Sequence, residues 1–235
     1  MTTTKTLVSC PALRTVPENK YILELAEVDS KITDPAAKNT AKKIITRYYE
    51  ANIPVKYWKL NIKSYKGDEN LLDIYNQFVS DIPAFYKKGK NYCFAGTHGI
   101  GKTYIATAML KKAVESGFSG LYVNLSDIMS VIRSGDNFSA RKELLQVDFL
   151  VIDEFDPRHI GNSDNSSDFH GRVLEDIFRN RSQNMLPLIA CTNSPDPVSS
   201  FNGSVKMGIE SLWNYMDFIP VFGKDFRKLE KNESI

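Results

Sequence analysis

Gly96-Thr97-His98-Gly99-Ile100-Gly101-Lys102-Thr103 fits the spacing G-x-x-x-x-G-K-[ST]. Ahead of it stands Tyr92-Cys93-Phe94-Ala95, an apolar run long enough for a buried strand. Behind it, residues 104–114 hold neither Gly nor Pro and carry apolar side chains at helical spacing. Strand, glycine loop and helix form the setting in which backbone N–H groups and a helix N-terminus converge on a phosphate. The stretch therefore reads as a triphosphate cradle made by Gly96, Thr97, His98, Gly99, Ile100, Gly101, Lys102, Thr103 and Tyr104. Lys102 reaches the β- and γ-phosphates, and the Thr103 hydroxyl holds Mg²⁺.

Fifty residues on, Phe149-Leu150-Val151-Ile152-Asp153-Glu154 is a second anchor. An apolar run ending in two acids describes a buried parallel strand whose carboxyl end presents carboxylates. Ligand chemistry in open α/β sheets sits at that end. Asp153 is then the second Mg²⁺ ligand, and Glu154 orients and deprotonates the attacking water. Pro187-Leu188-Ile189-Ala190-Cys191-Thr192-Asn193 is a third apolar strand. The Asn193 amide at its end can bond the γ-phosphate or the water.

Working outward, residues 1–16 read as irregular, and a helical pattern covers residues 21–28. Asp34-Pro35 is a helix start, Asp as N-cap and Pro at the first helical position, with the helix running to about residue 51. Lys38, Lys42, Lys43 and Arg47 form its polar face, a solvated face or a contact with a partner. A single helix is expected over 71–86, and further helices over 128–133, 168–182 and 207–216, with a short amphipathic piece at 140–145. Residues 121–125 and 218–222 complete the strands. Residues 157–167 and 195–204 read as loop, and 229–235 as a charged tail that frays.

Composition fits a globular domain: 235 residues, 42% hydrophobic, 25% charged, net charge +2. Residues 1–90 carry 15 basic against 10 acidic side chains, and residues 91–235 carry 15 against 18. No apolar run approaches the roughly 20 residues of a membrane span. The first residues lack the apolar core of a signal peptide, so a cytoplasmic protein is expected. Cys10, Cys93 and Cys191 form no C-x-x-C pair, and His98, His159 and His170 add no metal-ligand spacing. No structural zinc is expected; Cys93 and Cys191 read as core thiols and Cys10 as a loop residue.

Strands alternating with helices behind a phosphate loop give a parallel α/β sheet with helices on both faces. G-T-H-G-I-G-K-T, F-L-V-I-D-E, A-C-T-N and a terminal Gly-x-Asp-Phe-Arg, in this order, resemble a AAA+ P-loop ATPase of the DnaC/IstB group. The resemblance runs over residues 44–228. It includes Ala51-Asn52-Ile53-Pro54-Val55-Lys56-Tyr57, similar to the group's "AGIP-x-R-[FY]", then Asp127-Ile128-Met129-Ser130, residues 147–154 and Asn180-Arg181. It implies a five-stranded parallel sheet and hydrolysis of ATP, which a departure from the group's pattern (Asn214-Tyr215, below) makes slow alone and stimulated by a partner or DNA. It also implies a division into 1–52 (a helical partner-binding segment), 53–90 (a linker and packing helix), 91–228 (the ATPase domain) and the tail.

Further roles follow from the resemblance alone. Arg227 matches the C-terminal sensor that contacts the γ-phosphate. The group's Asp-Arg on the helix before the last strand is replaced by Asn214-Tyr215, which leaves Arg172, Arg179 and Arg181 as candidates for the arginine that a neighbouring subunit lends. Arg133, Phe138, Ser167 and Phe169 match the face that grips single-stranded DNA, with a cation for phosphate and an aromatic for stacking. The implied function is a loader, bacterial or phage-encoded, that binds a hexameric replicative helicase through residues 1–52 and assembles on it as a ring or spiral. An IstB-like helper of transposition and a small-molecule P-loop kinase are the alternatives. A kinase needs a substrate pocket and lid that the sequence does not display.

Overall fold

The computed structural model describes residues 10–134, 137–156, 164–196, 206, 210 and 216–226, with the side chains of 137 and 164–170 outside the description. Of the loops expected at 157–167 and 195–204, residues 157–163 and 197–204 lie outside the described residues, as do most of the helix expected at 207–216 and the tail.

After a 3-10 turn at Pro11–Leu13 come two helices, α1 (Glu18–Lys31) and α2 (Pro35–Glu50). Asp34 caps α2 by accepting from the Ala37 N–H at 2.7 Å, with Pro35 at N1, as its sequence dictates. Two further helices follow where one was expected, α3 (Glu69–Ser80) and α4 (Ile82–Lys88). Pro83 has no N–H to continue α3, and Asp81 turns out of helical geometry (φ −154°, ψ 77°) to cap α4 through the Ala84 N–H at 2.9 Å. Then come β1 (Tyr92–Ala95), α5 (Lys102–Glu115), β2 (Gly120–Asn124), α6 (Leu125–Ser134), α7 (Asn137–Gln146), β3 (Phe149–Asp153), α8 (Asp164–Gln183), β4 (Leu188–Thr192) and β5 (Asp217–Pro220). Helix α8 begins four residues before the expected start.

All five strands are parallel, in the order β2-β3-β4-β1-β5. This is the five-stranded sheet the sequence implied. Residues of β1, β3 and β4 are buried throughout, which explains why these strands read as continuous apolar runs. On one face Phe94, Tyr122, Phe149, Val151 and Ile189 pack under α2, α3 and α5. On the other, Cys93, Leu121, Val123, Leu150 and Ile152 pack under α6, α7 and α8. The register sets Ala95 beside Thr192 and Asn124 beside Asp153, so the carboxyl ends of the strands share one edge.

The front of the chain is built into this core. Cys10 and Leu13 are buried in the α6–α8 layer, where the Cys10 N–H donates to Glu143 Oε2 at 2.8 Å and Arg14 pairs with Glu143. Residues 10–16 thus form a strap rather than an irregular leader. Arg47, read as part of an outward polar face, donates to the Val114 and Glu115 carbonyls at 3.0 and 2.9 Å, at the C-terminus of α5 where a cation is favoured. Lys38 and Lys42 pair with Asp29 of α1. No described helix is long and apolar enough to cross a membrane.

Candidate functional site

The glycine loop connects β1 to α5, and its geometry depends on its glycines. Gly99 (φ 78°) and Gly101 (φ 97°) lie in left-handed backbone that a side chain resists. A Cβ at Gly99 would also run into the Asp225 carboxylate, and one at Gly101 into the Tyr65 ring. Thr97 and His98 are exposed at the loop tip while Ile100 is buried beneath it. Gly101 is the N-cap of α5, whose first residues are Lys102 and Thr103, so the helix N-terminus opens where the loop ends.

Lys102 is buried, and its Nζ donates to Gly96 O (2.7 Å), Thr97 O (2.6 Å) and Asn193 Oδ1 (3.1 Å). The ammonium therefore joins the loop to the end of β4. Thr103 Oγ1 donates to Asp153 Oδ1 at 3.1 Å, joining α5 to the end of β3. Their two oxygens are hard donors of the kind Mg²⁺ prefers, and a few side chains with room for water suit that ion. Glu154 follows with φ 50°, a left-handed conformation rare outside glycine, and its N–H donates to Asp153 Oδ1 at 2.9 Å. This turn leaves Glu154 exposed while Phe155 returns to the core, its N–H on Cys191 O at 2.8 Å.

Tyr122 was missed in the sequence. It is buried on β2, and its hydroxyl donates to Asp153 Oδ2 at 2.6 Å. Burial and then the Asp153 charge push the phenol well above its ordinary pKa, so it stays a donor. Strand parity carries only part of the signal: Tyr122 alternates with Leu121 and Val123, and on β3 Asp153 shares the face of Phe149 and Val151, but strand order and register make the two neighbours.

The lead-in and C-terminal segments close around the loop. Tyr104 is half-buried, its hydroxyl donating to Asn61 O at 2.7 Å, and its ring lies against Tyr65 with centroids 5.4 Å apart. Lys111, on the buried side of α5, donates to the Tyr57 and Trp58 carbonyls at 3.0 and 2.7 Å; desolvation pulls its pKa down to about 8. At the other end of the chain, Val221 N–H donates to Ala95 O at 2.7 Å and Phe226 N–H to Gly99 O at 3.1 Å. Arg227 lies outside the described residues, as do Asn214 and Tyr215.

One expected role is overturned. Arg181 is 1% exposed, and its guanidinium donates to the carbonyls of Leu144 and Val147 (both 2.9 Å), Asp148 (3.2 Å) and Pro187 (2.7 Å). Burial pulls its pKa down to about 9. An arginine spent on four carbonyls at the foot of the sheet cannot reach a neighbouring subunit. Arg179 is exposed on α8 and paired with Glu175, and Arg172 is exposed beside the groove between α6, α7 and α8. Of the DNA-grip candidates, Arg133 is exposed at the end of α6 and Phe138 is 84% exposed at the start of α7. Ser167 and Phe169 lie on α8, their side chains outside the described residues.

Comparisons with known proteins agree with this fold. Residues 74–185 match the family described as IstB-like ATP binding protein. The Replicative helicase loader DnaC of Escherichia coli (strain K12) is 26% identical over 167 residues, 67% of this chain but 64% of that relative's own length. The crystal structure of the DnaC helicase loader superposes with a TM-score of 0.58 at 19% identity, covering 72% of this chain and 99% of that one. The crystal structure of DnaI gives 0.59 at 16% identity, covering 74% and 93%. Residues 74–185 thus match an IstB-like ATP-binding domain, and the sheet has the AAA+ P-loop fold seen in DnaC and DnaI.

Proposed function

We propose that this protein is an ATP-hydrolysing loader that binds a hexameric replicative DNA helicase and delivers it onto single-stranded DNA. The observation that carries the reading is the joining of Lys102, Thr103, Asp153 and Asn193 in one site on a DnaC-type fold. Lys102 exchanges its loop carbonyls for the β- and γ-phosphates. Thr103 and Asp153 hold Mg²⁺, which when bound neutralises charge that builds on the transferring phosphoryl group. Glu154 takes the proton of the attacking water, and Asn193 and Arg227 sense the γ-phosphate. Arg172 or Arg179 of a neighbouring copy in a ring or spiral compensates transition-state charge, so the purified chain hydrolyses ATP slowly until partner and DNA assemble it. Arg133 and Phe138, with Ser167 and Phe169, hold the single strand by phosphate contact and stacking.

Helicase binding falls to the front of the chain, in the cytoplasm of a bacterium or of a phage's host. Helix α1 leaves Ile22 56% and Leu23 61% exposed, a pair of large apolar side chains on a helix otherwise laced with ion pairs. The test is co-purification with the cognate replicative helicase, with and without ATP. A complex with the wild type that Ile22→Asp, Leu23→Asp removes, at unchanged ATP affinity, is the expected result. No complex under either condition sinks the loader reading. The family description favours one other reading, an IstB-like transposition helper. Assembly on duplex DNA together with a transposase, and no helicase complex, would establish that instead.

A further inference from the structure

We infer that Tyr122 is a positioning residue for the Asp153 carboxylate, setting the orientation in which that acid meets the divalent cation of the nucleotide. The inference rests on the reading of the site as one for Mg-ATP.

Asp153 is buried, and both of its oxygens are occupied by donors from three different elements. Oδ1 accepts from Thr103 Oγ1 of α5 and from the Glu154 N–H, while Oδ2 accepts from the Tyr122 hydroxyl of β2. The first two belong to the loop helix and to the acid's own turn. Neither restrains rotation of the carboxylate about its Cβ–Cγ bond as a third, opposed donor does. At 2.6 Å and out of solvent, the phenol bond is the shortest of the three. Hydrogen bonds from such outer groups orient a metal's carboxylate ligand and tune its basicity.

Tyr122 is itself held unusually firmly for a residue on a sheet edge. Strand β2 is the outermost strand on its side, yet the Tyr122 N–H donates to Ala51 O at 2.8 Å and its carbonyl accepts from Asn52 Nδ2 at 2.9 Å. Asn52 is fully buried with φ 53°, and its other contacts reach the strap: Nδ2 to Leu13 O, and Oδ1 from the Thr15 and Val16 N–H groups at 2.9 and 3.2 Å. Backbone and amide thus pin the strand residue whose side chain pins the acid.

A merely structural phenol would satisfy a buried carboxylate and nothing more. Tyr122→Phe separates the two cases, because it removes one oxygen and keeps the ring. The measurement is binding of a fluorescent, non-hydrolysable ATP analogue, first in EDTA and then across a Mg²⁺ titration. Tyr122→Phe should leave affinity in EDTA within about twofold and raise the Mg²⁺ midpoint about tenfold, the scale typical of outer-shell partners. An unchanged or lowered midpoint in folded Tyr122→Phe overturns the inference while leaving the ATP reading intact. Wild-type protein that binds no nucleotide overturns both. Should Tyr122→Phe prove unstable, the titration is repeated in a stabilising osmolyte against the same criterion.

Discussion

Helices α1 and α5 are both 14 residues long, and they could hardly be used more differently. No residue of α1 is buried, whereas ten of α5 are. Helix α1 rides on α2 through a stacked pair, Tyr21 on Tyr49 with centroids 4.4 Å apart, and through Tyr21 Oη to Thr46 Oγ1 at 3.0 Å. Ion pairs tie it further to the chain, Glu24 and Glu27 with Lys59, and Asp29 with Lys38 and Lys42, while Glu27 with Lys31 is a pair within the helix. Helix α5 lies on the sheet by small residues, Ala106, Ala108 and Ala113, with Ile105, Met109 and Leu110 filling the space around them. The difference teaches where rigidity is needed. The start of α5 is the proposed phosphate site, where a displacement would misplace the donors, and burial fixes it. The outward side of α1 is free to meet another protein.

Three experiments press on that contrast. Lys102→Ala at the start of α5 should lower ATP affinity or turnover by about a hundredfold or more, since one preorganised charge-bearing donor is worth that much. Radiolabelled nucleotide binding and phosphate release check it, and near-normal values of both would mean that the loop is not the phosphate site. Met109→Ala, in the middle of the same helix, removes a fully buried side chain and should cost about 2–5 kcal/mol in urea unfolding. A loss under about 1 kcal/mol would show that α5 is no better packed than α1.

The smallest effect is expected on α1. The Lys31 and Lys59 ammoniums hold the Glu27 carboxyl down at about 2, from an ordinary 4.5. Its folded value is depressed, so the contribution is full above pH 4.5 and is lost as pH falls through about 2. Because the pair is exposed, Glu27→Gln should move Tm at pH 7 by less than about 2 °C, while NMR titration of the wild type finds the Glu27 midpoint near 2. A large drop in Tm would make α1 a structural element rather than a docking one.

The sequence carried most of the fold because its signals were local. The glycine loop between an apolar run and a helix, and the acids closing Phe149–Asp153, each state a strand end within a dozen residues. Asp34-Pro35 does the same for α2. Legibility failed where the deciding partner is far away. The break at Asp81 was in principle readable from Pro83, but helical periodicity on both sides hid it. The burial of Cys10 and Leu13 depends on α7 and α6, more than a hundred residues on. Arg181 looked like one of three similar arginines on α8, and only its position under the ends of α7 and β3 sets it apart.

By itself, then, the sequence determined the strand–loop–helix unit and the acids and amide that follow later strands, because backbone freedom at glycine and runs of apolar residues act within a few positions. The tertiary structure alone decided that Tyr122 reaches Asp153, that Arg181 is a core residue, and that the strap and Asn52 close the edge of β2. Those outcomes depend on strand order and register, which bring distant residues within hydrogen-bond reach and which no local pattern encodes.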